Sequence, residues 1–369
     1  MDPHVELGRG PIRADLIVLA RESRALTQGR LATSLGISQG HLSKIEAGLL
    51  TVSDVLLERL AAALAYPPHF FRLGEPVYGP GTSEFFHRKR SSMSTRLLAR
   101  VHAQVNIRRI HVARLLGAVE IEPDRIPELD PDEFGDSVEE VARAVRAAWL
   151  IPRGPVANLT SLIEAAGGII VPTQFGTPLL DAVGRYVPGM PPLFFVNEDA
   201  PADRARLTLA HELGHIVMHR VPNPDMESQA FRFAAEFLMP ERDIRSELTG
   251  LYLDKLVGLK LVWRVSMQAL LKRATDLGTI DARRARYLWM QMGKAGYRLR
   301  EPPEADIRPD EPSVLAAIIR MHTEELGYSD AELAALLALQ PNEMTSIYGA
   351  GGPTAPRRKL RVVSSRPLV

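Results

Sequence analysis

A mostly α chain with a small β-sheet, an α+β fold class, is what the sequence predicts, arranged as more than one domain. Three observations predict it. Apolar residues recur at helical spacing over residues 12–73 and again beyond Pro240, and three short apolar runs bounded by Pro and Gly lie between these stretches. The third is length: 369 residues exceed the roughly 100 to 200 of a single domain.

Composition narrows the function classes. Lys and Arg number 45 against 44 Asp and Glu, so the chain is no polycation, and any nucleic-acid contact must be local. With no Cys there are no disulfides and no thiolate sites, which leaves His, Asp and Glu as metal ligands. No run of 18 apolar residues occurs, and the first 30 residues carry Asp2, Glu6, Asp15 and Glu22 with no apolar core between them. The sequence therefore predicts a cytoplasmic protein with no membrane partner.

Residues 1–74 read as short helices. Leu16, Leu19 and Ser23 give one face, then Leu31, Ala32 and Leu35, then Leu42 and Ile45, then Leu56, Leu57, Leu60 and Leu64, with Gly36, Gly48 and Pro67-Pro68 as breaks. From Thr27 to Gly48 the order is helix, Gly turn, helix. Ile37, Leu42 and Ile45 fill the shared core, which leaves Ser38, Gln39, Gly40, Ser43 and Lys44 on the outer face at the start of the second helix. A recognition helix presents groups to base edges and phosphates from that position, and Gln28, at the N-terminus of the other helix, would reach a phosphate.

Residues 75–136 read as a helical connector, basic and then acidic. His87 to Ala118 carries eight Arg or Lys and no acid, whereas Glu120 to Glu140 carries ten acids and one base, Arg125. Such a switch marks a seam, read either as a solvated helix and an acidic loop or as a basic flank for DNA phosphates.

Residues 137–245 change character. Helices are expected at Val138 to Leu150 and Leu159 to Ala166, then strands at Gly168 to Val171, Ala182 to Val187 and Leu193 to Val196. The next helix is expected from about Pro201, with Asp199 as N-cap, through His219. It carries His211-Glu212-Leu213-Gly214-His215. Two imidazoles at i and i+4 share one face and can reach one zinc, with Glu212 beside them as general base.

A catalytic zinc needs a third protein ligand, and the candidates are His219, Glu227 and Glu236. His219 lies eight residues after His211, about 12 Å along a straight helix, which suits a capping, substrate-touching or bracing role better than ligation. A second helix from near Asp225 to Leu238 puts Glu227 in its first turn, and Glu236 points half a turn away from it. Glu227 is the choice.

Residues 246–350 are expected to be helical. Gly327 to Tyr348 faintly repeats the helix-turn-helix pattern without a turn Gly after Leu337 and reads as a packing unit. Residues 351–369, rich in Pro and Arg, read as a disordered basic tail.

Two resemblances follow from these residues. Residues 12–73 are similar to the Xre/lambda-Cro class of helix-turn-helix domains. The run Arg204 to His219, followed by Glu227 to Pro240, resembles the ImmA/IrrE family of zinc metallopeptidases over roughly residues 137–275. The second resemblance implies a zincin-like domain with one zinc, or manganese, held by His211, His215 and Glu227, and Glu212 as the catalytic residue. It also implies proteolysis of a helix-turn-helix repressor or antitoxin during stress or mobile-element induction. The first implies operator DNA as partner, dimers on paired half-sites, and association with the nucleoid. A transcription factor whose metal domain senses without turnover is the rival reading, and self-cleavage in the 75–135 linker is a third. One departure stands out: after Ala230 the family often has Asn or Asp, where this chain has Phe231.

Overall fold

The computed structural model describes residues 10–79, 93–122, 125–221, 223–349 and 360–362. Their contacts divide into two units. One comprises Met1–Pro123, Phe175–Leu179 and Ser313–Val369, the other Asp124–Gln174 and Leu180–Pro312. The division falls within the 246–350 helical stretch rather than at its ends.

In the first unit, α1 (Ala14–Ser23), α2 (Gln28–Ser34), α3 (Gln39–Glu46) and α4 (Asp54–Leu64) follow in order. Three of them start at hydroxyl caps: Thr27, Ser38 and Ser53 accept from the backbone N–H of Arg30, His41 and Leu56. Gly36 takes φ of +57° between α2 and α3, the turn expected there. Leu16, Leu31, Leu42, Leu60, Leu64, Phe70 and Phe71 are fully buried together with their neighbours and form this unit's core.

The connector contains one long helix, α5 (Thr95–Leu116), capped by Ser94 and packed along α1. Several of its basic residues bond inward rather than facing outward as a phosphate flank: Arg96 donates to the Ala25 carbonyl, and Arg114 to the Leu336 carbonyl and to Glu75. The strand β1 (Val119–Ile121) follows.

The second unit holds the mixed sheet. Strands β2 (Ile169–Thr173), β3 (Ala182–Arg185) and β4 (Leu193–Asn197) lie in the order β2-β4-β3, with β4 parallel to β2 and antiparallel to β3. Ahead of the sheet stand α6 (Val138–Ala148) and α7 (Leu159–Ala166). After it come α8 (Ala202–Met218), α9 (Met226–Leu238), α10 (Glu241–Ile244), α11 (Leu253–Trp263), α12 (Met267–Asp276) and α13 (Ala282–Lys294). Val138, Val141 and Val145 on α6 pack with Phe233 and Phe237 on α9 and with Leu213 on α8.

Helix α8 starts one residue later than expected. Its N-cap is Pro201 rather than Asp199, because Asp199 bonds back to Asn197 in the preceding turn. Buried ion pairs fix its first turns. Asp203 accepts from Lys260, which also reaches Glu301 at 2.8 Å, and Arg206 pairs with Asp310. Burial opposes the Lys260 charge, but the two carboxylates outweigh it and raise its pKa.

The chain then returns to the first unit with α14 (Val314–Arg320), α15 (Asp330–Leu336) and α16 (Pro341–Tyr348). The turn after α15 is made without Gly: Ala338 takes φ of +52°. A capping box of Ser329 and Glu332 starts α15. The expectation of a disordered tail fails over β5 (Leu360–Val362), which pairs antiparallel with β1. The flanking Pro and Arg residues dominate the composition there and hide a three-residue apolar strand. The rest of 351–369 lies outside the described residues.

Candidate metal centre and nucleic-acid interface

Helices α8 and α9 converge because Gly214 lies between the two motif histidines. A Cβ there would sit 3.0 to 3.2 Å from three atoms of Phe233, so only Gly lets α9 approach this closely. The approach carries Glu227, in the first turn of α9, to the imidazoles. Nε2 of His215 lies 3.0 Å from Nε2 of His211 and 3.1 Å from Oε1 of Glu227, while Oε2 of Glu227 is 3.6 Å from Nε2 of His211.

These donor atoms all lie within 4.8 Å of one another. A tetrahedral zinc with bonds of about 2.0 to 2.2 Å sets its ligand atoms roughly 3.3 Å apart, so this donor set fits one. Burial lowers the pKa of His211, which favours the neutral ligand form. Burial alone would raise Glu227, but hydrogen bonding to both imidazoles holds its carboxyl far below the ordinary range.

The two imidazoles are braced differently. Nδ1 of His215 is 2.9 Å from Nδ1 of His219, whose Nε2 is 2.9 Å from Oε1 of Gln229. If His215 ligates through Nε2, its Nδ1–H donates to His219, and the Nε2–H of His219 donates to Gln229, which gives one consistent tautomer chain. Burial and the neighbouring His215 push His219 down to about 4, so it stays neutral. His219 is no ligand here: it ends α8 as the C-cap and turns back onto His215. In contrast, Nδ1 of His211 is buried with no hydrogen-bond partner, and the half-exposed Phe231 ring packs against the imidazole.

Glu212 is fully buried, and its Oε2 accepts from the backbone N–H of Gly184 at 2.7 Å. Strand β3 thus holds one carboxylate oxygen of the motif Glu. A Cβ at 184 would lie 3.0 Å from that oxygen, so Gly is needed on the strand. Glu236 is elsewhere, enclosed by Arg143 and Arg273 and by the Glu241 N–H, as a structural anion.

On α3, Gln39, Gly40, Ser43 and Lys44 are exposed together. Ser38 is exposed too, with its hydroxyl occupied in capping. Gln28 differs from expectation, since its amide donates to Glu46 at 2.8 Å and Glu46 also pairs with Arg21.

Comparison with family models adds two matches. Residues 17–71 match a helix-turn-helix model, and residues 173–275 match the M78 peptidase model, described as an IrrE N-terminal-like domain. The chain fuses a helix-turn-helix segment to an IrrE-like domain. Comparison with curated proteins gave no match. Both motif helices of the IrrE-like domain, and all three converging side chains, lie inside the matched range.

Sequence reasoning did not single out two residues of the IrrE-like site. Gly184 on β3 and Gln229 behind His219 act across the fold, and only the isolated Gly within a strand pattern gave a signal.

Proposed function

We propose that the chain is a cytoplasmic DNA-binding regulator whose IrrE-like domain is a zinc-dependent endopeptidase. The observation that carries this reading is the convergence of His211, His215 and Glu227 within 4.8 Å. Nε2 of each imidazole and the Glu227 carboxylate would hold the ion, with manganese as a substitute. Bound zinc supplies Lewis-acid polarisation and acidifies water. Glu212 then takes the proton from the attacking water and passes it to the leaving amine.

A helix-turn-helix repressor or antitoxin, cut in a stress or mobile-element response, is the proposed substrate, on the strength of the family resemblance. The exposed residues of α3 support operator binding, with Ser38, Gln39, Gly40, Ser43 and Lys44 toward DNA and Gln28 released from Glu46 to meet a phosphate. A homodimer on paired half-sites follows from the same reading.

The test compares new peptide N-termini in cells expressing wild type and Glu212→Gln. Termini that appear only with wild type, while the variant keeps its metal, support the peptidase; identical sets refute it. The enclosure of Glu212 against β3 favours a second reading, a sensor without turnover. In that case zinc changes operator affinity and no cleavage product forms.

A further inference from the structure

Helix α5 of the first unit carries polar atoms that nothing satisfies. Nε of Arg100, Oε1 of Gln104, Nη1 of Arg108 and Nε2 of His111 are each buried without a hydrogen-bond partner. Spacings of four, four and three residues put them on a single stripe of the helix. The opposite side of α5 is fully matched. There Asn106 bonds Tyr78, and Arg109 donates to the Pro76 carbonyl and lies over the Tyr78 ring.

Two of the four unsatisfied groups are guanidinium ions, and no acidic side chain among the described residues pairs with either. Buried water would satisfy their hydrogen bonds but would not offset their charge. The stripe is anchored at one end. Nδ1 of His111 is 2.8 Å from the Tyr348 hydroxyl, and the Arg108 guanidinium lies over the Tyr348 ring, 5.3 Å from its centroid. With Nδ1 accepting from that hydroxyl, Nε2 of His111 carries the proton and becomes a neutral donor aimed at the same space.

We propose that this stripe binds an elongated organic anion, whose carboxylate or phosphate group is taken by Arg108 and His111 and whose body runs past Gln104 to Arg100. From 100 to 111 the stripe extends roughly 16 Å along the axis, more than one small oxyanion spans. Helix α5 packs along α1, and Arg96 ties it to the Ala25 carbonyl just before the helix-turn-helix. Occupancy of the stripe therefore bears on DNA binding, which makes the ligand an effector of the regulator.

The test is calorimetric titration of the full-length protein with inorganic phosphate, and separately with succinate, at constant ionic strength. Saturable binding of at least one anion is expected, and the stronger of the two identifies the headgroup. Arg108→Gln should weaken it about tenfold or more, as loss of a charge-assisted hydrogen bond implies. Tyr348→Phe is a second variant should Arg108→Gln fail to fold, with a smaller weakening expected. His215→Ala and Lys44→Ala should bind as wild type, which separates the stripe from the metal centre and from the DNA face. Absence of saturable binding by either anion, unchanged binding in Arg108→Gln and Tyr348→Phe, or loss in either control variant would overturn the proposal.

Discussion

The Phe231 ring packs 4.2 Å, centroid to centroid, from the ring of His211, whose Nδ1 has no hydrogen-bond partner, while Nδ1 of His215 is held by His219. One imidazole is oriented by a polar chain and the other by an apolar contact. A hydrogen bond on the far nitrogen fixes the tautomer and raises ligand basicity, and its loss costs about 10- to 100-fold in affinity. Phe231→Asn, which supplies an amide acceptor at that place, should tighten zinc about tenfold in competition with a chelator. Phe231→Ala should not tighten it. Equal affinity of wild type and Phe231→Asn would show that His211 gains nothing from a partner.

Gly184 controls Glu212. In Gly184→Ala the new methyl would press on Oε2 and on Cβ of Glu212, at 3.0 and 3.1 Å. The carboxylate must turn, and a misplaced catalytic group costs about 100-fold. Zinc content should stay at the wild-type level while kcat falls by that order. A variant with wild-type turnover would remove β3 from the account of the base.

On the DNA face, Gln39→Ala should cost about 1–3 kcal/mol of operator affinity and relax specificity at one base position. Lys44→Ala should weaken binding to all sequences alike and lower the salt slope by about one. Footprints of unchanged strength in both variants would make the module a docking domain.

Burial, with the charges of Arg108 and Arg114 added, holds His111 well below its ordinary 6.5. Below about pH 6.5 the unfolded imidazole takes up a proton that the native one refuses, so stability is full above that pH and falls as the solution is acidified. The slope is limited to about 1.4 kcal/mol per pH unit. In phosphate-free buffer, the melting temperature of wild type should drop between pH 7 and pH 5 more steeply than that of His111→Gln. Parallel curves would assign the acid sensitivity to other groups.

Much of this was legible in the sequence, for local reasons. The helices of the first module follow from hydroxyl caps and apolar spacing, and Leu159 to Ala166 is helical over the very residues expected. The i, i+4 spacing of His211 and His215 and the break before Asp225 were enough to choose Glu227 over Glu236. What the sequence hid depends on contacts distant in the chain. Strand β5 exists only through pairing with β1, some 240 residues earlier. The capture of Gln28 by Glu46, the hold of Gly184 on Glu212 and the unpartnered stripe of α5 are likewise products of packing, which periodicity does not report. The turn at Ala338 breaks the usual preference for Gly in the left-handed region, and so the second helix pair left only a faint trace.

Zinc stoichiometry by elemental analysis of the purified full-length protein, beside His215→Ala and Glu227→Ala, bears most directly on the site. About one zinc per chain in wild type, lost from both variants with the helical circular dichroism intact, is the expected result. Zinc retained at the wild-type level in Glu227→Ala, or none bound by wild type on addition of the ion, would contradict the three-residue centre.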